Sequence, residues 1–168
     1  VSIVAGMLMA RRMKNELAGV VGATCVGDGS TSTGSFHEGL NLAAVEKLPM
    51  VVLIADNQFA YSTPRSRQFA CESLLDRALG YGVGAVEIDG TDLTACLEGI
   101  QTAVKLARAG HGPQVVVGKL LRLCGHGEHD DGNYVPSVLR ESDLGRDCLD
   151  LGIRQIVDLG YATEAEIL

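Results

Sequence analysis

No apolar run in this chain approaches the roughly 20 residues that a helix needs to span a bilayer, and its start lacks a charged leader with a cleavage-site pattern. Membrane insertion is therefore not expected. Positive charge is scarce: 14 Lys and Arg stand against 21 Asp and Glu, a formal net charge of −7. Such a surplus of carboxylates repels a phosphate backbone, so general nucleic-acid binding is not expected either. The five cysteines, at 25, 71, 96, 124 and 148, are odd in number and lack a regular framework spacing. Buried or free thiols in a reducing, intracellular compartment suit that pattern. Repeats, linkers and low-complexity tracts are missing too, and 168 residues of 46% hydrophobic composition suffice for one domain around a single core. An initiator Met is also absent. Val1 to about Asn15 reads as a helix, which suggests a piece of a longer protein.

What is present alternates. Runs at Val20–Val26, Met50–Ala55, Gly84–Ile88 and Gln114–Leu121 are short and rich in Val and Ile, the signature of buried strands. Between them, residues 35–47, 72–81 and 93–109 carry apolar side chains at helical spacing, as in Leu93, Leu97, Ile100, Val104 and Ala107. This β-α-β-α-β-α-β order predicts an α/β domain with a doubly wound, mostly parallel sheet. Residues 122–135, rich in Gly, His and Asp, interrupt the pattern as a long loop. A helical stretch from Ser142 to about Leu159 follows, with Gly160 as its cap, and Thr163 and Glu166 stand at capping-box spacing for one more turn.

The first strand runs into Gly27-Asp28-Gly29-Ser30 just before a helix. In a parallel sheet such a crossover loop lies at the carboxyl ends of the strands, where a helix start aims free N–H groups at an anion. A diphosphate fits that place. The glycines allow close backbone approach and positive φ, while Asp28 beside phosphates makes electrostatic sense only with a cation between them, magnesium or calcium. A plain tight turn is the bland alternative for Gly-Asp-Gly alone. The next strand ends in Asp56-Asn57, with Asn57 29 positions after Asp28. One β-α-β unit brings the two strand ends side by side, so the Asp28 carboxylate and the Asn57 amide oxygen can share a hard cation. A nicotinamide-dinucleotide site would need G-x-G-x-x-G, which Gly27, Gly29 and Gly34 do not match, and a P-loop would need a lysine that this turn lacks.

Gly27-Asp28-Gly29 followed by Asn57 resembles the thiamine-diphosphate fingerprint, with Asp56-Asn57 in place of its usual paired asparagines. The stretch from Gly34 to Ala44, Leu48-Pro49, Tyr61-Ser62-Thr63-Pro64, Asp76-Arg77-Ala78 with Gly80-Tyr81-Gly82, Asp89-Gly90-Thr91-Asp92 and Arg122 to His126 are similar to alpha subunits of 2-oxoacid dehydrogenases. The resemblance covers nearly the whole chain. It implies that Asp28, Asn57 and the Phe59 carbonyl hold Mg2+, that Asp28, Gly29, Ser30, Asn57, Arg122 and His126 meet thiamine diphosphate, and that Arg122 reaches its diphosphate. His126 is implied as the catalytic residue near the reacting carbon, since imidazole titrates close to neutrality. Asp56 then serves as a local hydrogen-bonding residue or an added negative charge. His37 is expected to be structural or at an interface, and Cys124 to be packed. Read without the resemblance, His126, Glu128, His129 and the adjoining aspartates could instead form a zinc or iron site, or simply a solvated loop.

The same resemblance implies a small 2-oxoacid substrate, whether pyruvate or a branched-chain acid, or else acetoin, with the acyl group passed to the lipoyl group of a separate acyltransferase. It implies a beta-type subunit or domain that supplies the glutamate acting on the aminopyrimidine, and a heterotetramer. The aminopyrimidine-contacting segment of the family lies upstream of Val1, so this chain alone is expected to be inactive. Mitochondrial members carry a serine, silenced by phosphorylation, where this chain has Gly127, and a bacterial-type, cytoplasmic member is the expectation. A fragment serving only as an association module is the rival reading.

Overall fold

Val- and Ile-rich runs became strands because only a sheet covered on both sides could bury them. The computed structural model describes residues 1–167. In chain order its elements are α1 (Ser2–Met13), β1 (Gly22–Gly27), α2 (Gly34–Val45), β2 (Met50–Asp56), β3 (Phe59–Ala60), β4 (Thr63–Pro64), α3 (Leu75–Gly80), β5 (Gly84–Asp89), α4 (Leu93–Arg108), β6 (Gln114–Lys119), α5 (Ser137–Arg140), α6 (Cys148–Asp158) and α7 (Glu164–Ile167). The main sheet is four-stranded in the order β1-β2-β6-β5, and every pairing is parallel. Among the described residues no helix is long and apolar enough to cross a membrane.

Strand alternation sends Met50, Val52 and Ile54 of β2, with Val115 and Val117 of β6, to one face, where α1, α2 and α3 cover them through Ala5, Leu8, Phe36, Leu40, Ala43 and Ala78. Val51 and Val116 point to the other face, against Ala103 and Ala107 of α4. Helices thus lie on both faces, as a doubly wound sheet requires. Burying each such Val, Ile or Leu contributes about 1.5–3 kcal/mol, so the two central strands dominate the core. The edge strands are drier in sequence than in structure: Ala23 and Cys25 of β1 and Gly84 to Val86 of β5 are exposed.

The periodic stripe of α4 holds only in part. Leu97 is 51% exposed. Ala107 of that stripe is buried as expected and Val104 packs beside it, but the inward face also uses Gly99 and Ala103, because a Cβ on Gly99 would lie 2.9 Å from Ile88 Cγ2 and small residues let the helix close on the strands. The helix expected over 72–81 is confined to α3. The stretch expected as one helix from Ser142 is broken into a three-ten turn at Asp143–Gly145 and α6, which starts anew where Asp147 caps the Leu149 N–H at 2.9 Å. Gly160, at φ 72°, does end α6, and Glu166 accepts the Thr163 N–H at 2.9 Å as the capping spacing predicts.

Candidate functional site

The register sets the stage. Gly27 pairs with Ala55, and Asp56 pairs with Lys119, so β1, β2 and β6 end level with one another. Asp28 stands one residue past β1 and Asn57 one past β2, while the segment after β6 follows β2 outward through Leu120 N–H to Asp56 C=O (3.3 Å) and Arg122 N–H to Asn57 C=O (3.3 Å). These strand ends, the hairpin β3–β4 and the loop after β6 enclose a cleft of about 470 Å³. Asp28, Gly29, Ser30, Asn57, Phe59, Arg122 and His126 all line it, together with Gly27, Thr33, Ala60 and Tyr61. Every site residue expected from the sequence is therefore in one place.

The turn after β1 is a three-ten turn, Asp28–Ser32, followed by α2. Thr33 caps α2 by accepting the Phe36 N–H at 3.3 Å, a contact worth about 1 kcal/mol. Neither glycine of the turn uses positive φ, contrary to the sequence expectation. Gly29 is needed for space: a Cβ there would lie 2.5 Å from the Ala60 Cβ, because the hairpin presses on the turn. Arg77 steadies the turn from α3, donating to the Thr31 hydroxyl at 2.7 Å and to its carbonyl.

Asp28 is 1% exposed. Its carboxylate accepts from the Gly29 N–H at 2.8 Å and the Gln68 amide at 3.2 Å, and among the described residues it has no ion-pair partner. Burial pushes its carboxyl above the usual range, the Gly29 N–H and Gln68 pull it down, nearby Asp56 raises it and Arg122 lowers it. A buried carboxylate with neutral donors and no countercharge suits a cation, and the Asn57 Oδ1 and Phe59 carbonyl on the same wall are hard oxygen donors of the right kind. Asp56 is equally buried but is answered by a full charge, the Arg65 Nε at 3.2 Å, with Gln58 donating at 3.3 Å. It is the local hydrogen-bonding residue anticipated, not a cleft ligand.

Arg122 is held by the chain itself. Its guanidinium donates to the carbonyls of Tyr61 (2.9 Å), Cys124 (3.1 Å) and Phe59 (3.5 Å) and to the Tyr134 hydroxyl, and stands 3.8 Å from Asp130. Asp130 in turn organises the loop by accepting from the Tyr134 hydroxyl (2.6 Å), the His126 N–H (2.6 Å) and the Gly132 N–H (3.0 Å). The Tyr134 bond, then the His126 N–H, hold its carboxyl down at about 2. The ring of His126 stands edge-on to Tyr61 with centroids 5.3 Å apart, and the Tyr61 hydroxyl lies 3.2 Å from His129 Nε2. Among the described residues no three His, Cys, Asp or Glu side chains converge to hold a metal, so the zinc or iron reading of the loop loses its donor set.

His37 Nδ1 bonds the Tyr81 hydroxyl at 2.7 Å, a packing role. Cys124, expected to be packed, is exposed, since it sits where the chain leaves the sheet. Sequence reasoning missed Arg65, Gln68 and Tyr61. Tyr61 lay in a stretch similar to the family but carried no role there, and no signal marks Arg65 or Gln68, because their turn is too short to have a period.

The strand ends and crossover turn define a doubly wound α/β domain with a cleft at the carboxyl edge of its parallel sheet, where such folds place ligands. A family profile described as dehydrogenase E1 component matches residues 1–167, and the chain belongs to that family. It is 36% identical over 98% of its length to the alpha subunit of an acetoin:2,6-dichlorophenolindophenol oxidoreductase from Cupriavidus necator, covering 49% of that protein. It is 39% identical over 75% of its length to the 2-oxoisovalerate dehydrogenase subunit alpha of Bacillus subtilis, covering 38% of it. It is 36% identical over 83% of its length to the pyruvate dehydrogenase E1 component subunit alpha of Staphylococcus aureus strain Mu50, covering 36% of it. The chain thus spans half or less of the length of these curated relatives.

Proposed function

We propose that the chain is the diphosphate- and magnesium-binding core of the decarboxylating component of a 2-oxoacid dehydrogenase. One observation carries the reading: Asp28, Gly29, Ser30, Asn57, Phe59, Arg122 and His126 line a single cleft at the strand ends. Asp28, Asn57 and the Phe59 carbonyl would hold Mg2+. The Gly29–Ser30 backbone and Arg122 would receive the diphosphate. Thiamine diphosphate, when bound, supplies a nucleophilic ring carbon and an electron sink for the loss of carbon dioxide. Its reacting end would lie toward His126, whose imidazole edge is set by Tyr61 for hydrogen bonding or proton transfer at the substrate.

The rest of the machine is read from the family. A beta-type subunit or domain would complete the cofactor site, giving a heterotetramer, and a lipoyl-bearing acyltransferase would accept the acyl group. Gly127 offers no hydroxyl for phosphate, which supports a bacterial-type, cytoplasmic member without that control. A second reading, acetoin cleavage, is supported by the relative that aligns over 98% of the chain. The deciding experiment is calorimetric titration of the full-length alpha–beta assembly with thiamine diphosphate. Binding should require Mg2+ and be lost in Asp28→Ala; affinity unchanged by chelation or by that substitution would sink the site. Turnover of pyruvate, branched-chain 2-oxoacids and acetoin, read by reduction of 2,6-dichlorophenolindophenol, separates the two readings. Failure to bind any cofactor would leave an association module.

A further inference from the structure

Gln68 does not line the cleft, yet it ties the turn after β1 to the hairpin β3–β4. Its Nε2 donates to Asp28 Oδ2 at 3.2 Å and to the Thr63 carbonyl at 3.1 Å, and its own carbonyl accepts from the Ser32 hydroxyl at 3.3 Å. Two oxygen acceptors on one nitrogen fix the amide, because turning it over would set oxygen against oxygen. The carboxamide oxygen is thereby left as an acceptor. It is fully buried and has no donor, the single side-chain atom of that kind among the described residues. It lies 3.7 Å from where a Cβ on Gly29 would begin, against the turn.

Arg65, three residues earlier on the same three-ten turn, holds Asp56. One short turn therefore serves both buried carboxylates, and it serves them differently. Asp56 receives a guanidinium that answers its charge. Asp28 receives a neutral amide, which orients the carboxylate and leaves its charge to be answered from the cleft. A buried acceptor without a donor is rare in folded proteins, so the amide holds this orientation at a cost, fixed by the two oxygens that its nitrogen serves.

We infer that Gln68 is a positioning residue for the cation: its N–H pins one carboxylate oxygen of Asp28, so that a neutral donor orients the group while its charge is left for the ion. This rests on the reading of Asp28 as a cation ligand. The test uses the full-length alpha–beta assembly with thiamine diphosphate and Mn2+ as the paramagnetic probe. Gln68→Met, similar in size but without donor or acceptor, should weaken Mn2+ binding about tenfold and change the spectral line shape of bound Mn2+ at saturation. Gln68→Lys, which would answer Asp28 with its own charge, should abolish binding. If Gln68→Met does not fold, Gln68→Asn, polar but one methylene short, is expected to weaken binding in the same way. Wild-type affinity and line shape in the Gln68 variants, with binding lost in Asp28→Ala, would refute the positioning role alone. Wild-type binding in Asp28→Ala would refute the cation site and this role with it.

Discussion

Arg65 reaches Asp56 with its Nε at 3.2 Å, and the carboxylate it meets has no exposure to solvent at all. Removing the arginine strands a buried charge, which is far costlier than removing the pair. Arg65→Met should lower the unfolding free energy by about 3 kcal/mol in urea titrations. Arg65→Met combined with Asp56→Asn should recover more than half of that loss, and simple addition of the two single effects would show that the pair does not interact.

Asp28 carries the opposite sign of prediction. Burial raises its carboxyl in the fold, so the folded chain binds the proton more tightly than the unfolded one. The stability tied to that proton is complete below the ordinary carboxylate value and disappears as pH rises through the raised one. At neutral pH and without a divalent cation, ionised Asp28 therefore weighs against the fold. Asp28→Asn should melt higher than the parent in EDTA near pH 7, with the gap closing toward about pH 4. Added Mg2+ should raise only the parent. A variant that melts lower in EDTA would contradict the assignment of burial as the leading cause.

Replacing His126 separates chemistry from binding. In the assembled enzyme, His126→Ala should reduce turnover by about 100-fold or more while thiamine diphosphate affinity holds. Stoichiometric zinc or iron in the parent that vanishes in the variant would instead restore the metal reading of the loop.

Assembly is the fourth expectation. Ile3 and Met7 of α1 and Val45 of α2 are 80%, 61% and 70% exposed, an apolar surface that asks for a partner. Co-expression of the complete alpha chain with a beta-type subunit should give a cofactor-dependent heterotetramer with decarboxylase activity. A monodisperse alpha monomer that decarboxylates 2-oxoacids unaided would overturn the split-site view.

The fold was legible where burial wrote it into composition. Val51, Val52, Val115, Val116 and Val117 announce central strands because both of their faces are covered. The cleft was legible because Asp28 and Asn57 sit at strand ends, where a topological rule places ligands without any need for side-chain detail, whereas Arg122 and His126 were reached only through the family resemblance. The stripe of α4 was legible at Ala107 but not at Leu97, because periodicity alone counts Leu97 as inward, whereas the close approach to Ile88 is made by Gly99. The turn bearing Arg65 and Gln68 left no trace, since its importance lies in what the two side chains reach and not in any repeat of apolar residues.

Arg122 enters any binding event already engaged. Its Nη1 donates to the Phe59 carbonyl, the same oxygen proposed for the cation. A phosphate that draws the guanidinium away trades internal bonds for external ones and, in doing so, releases that oxygen for the metal. Anion and cation capture are then two halves of one exchange, so each ligand should tighten the other's hold by the same factor.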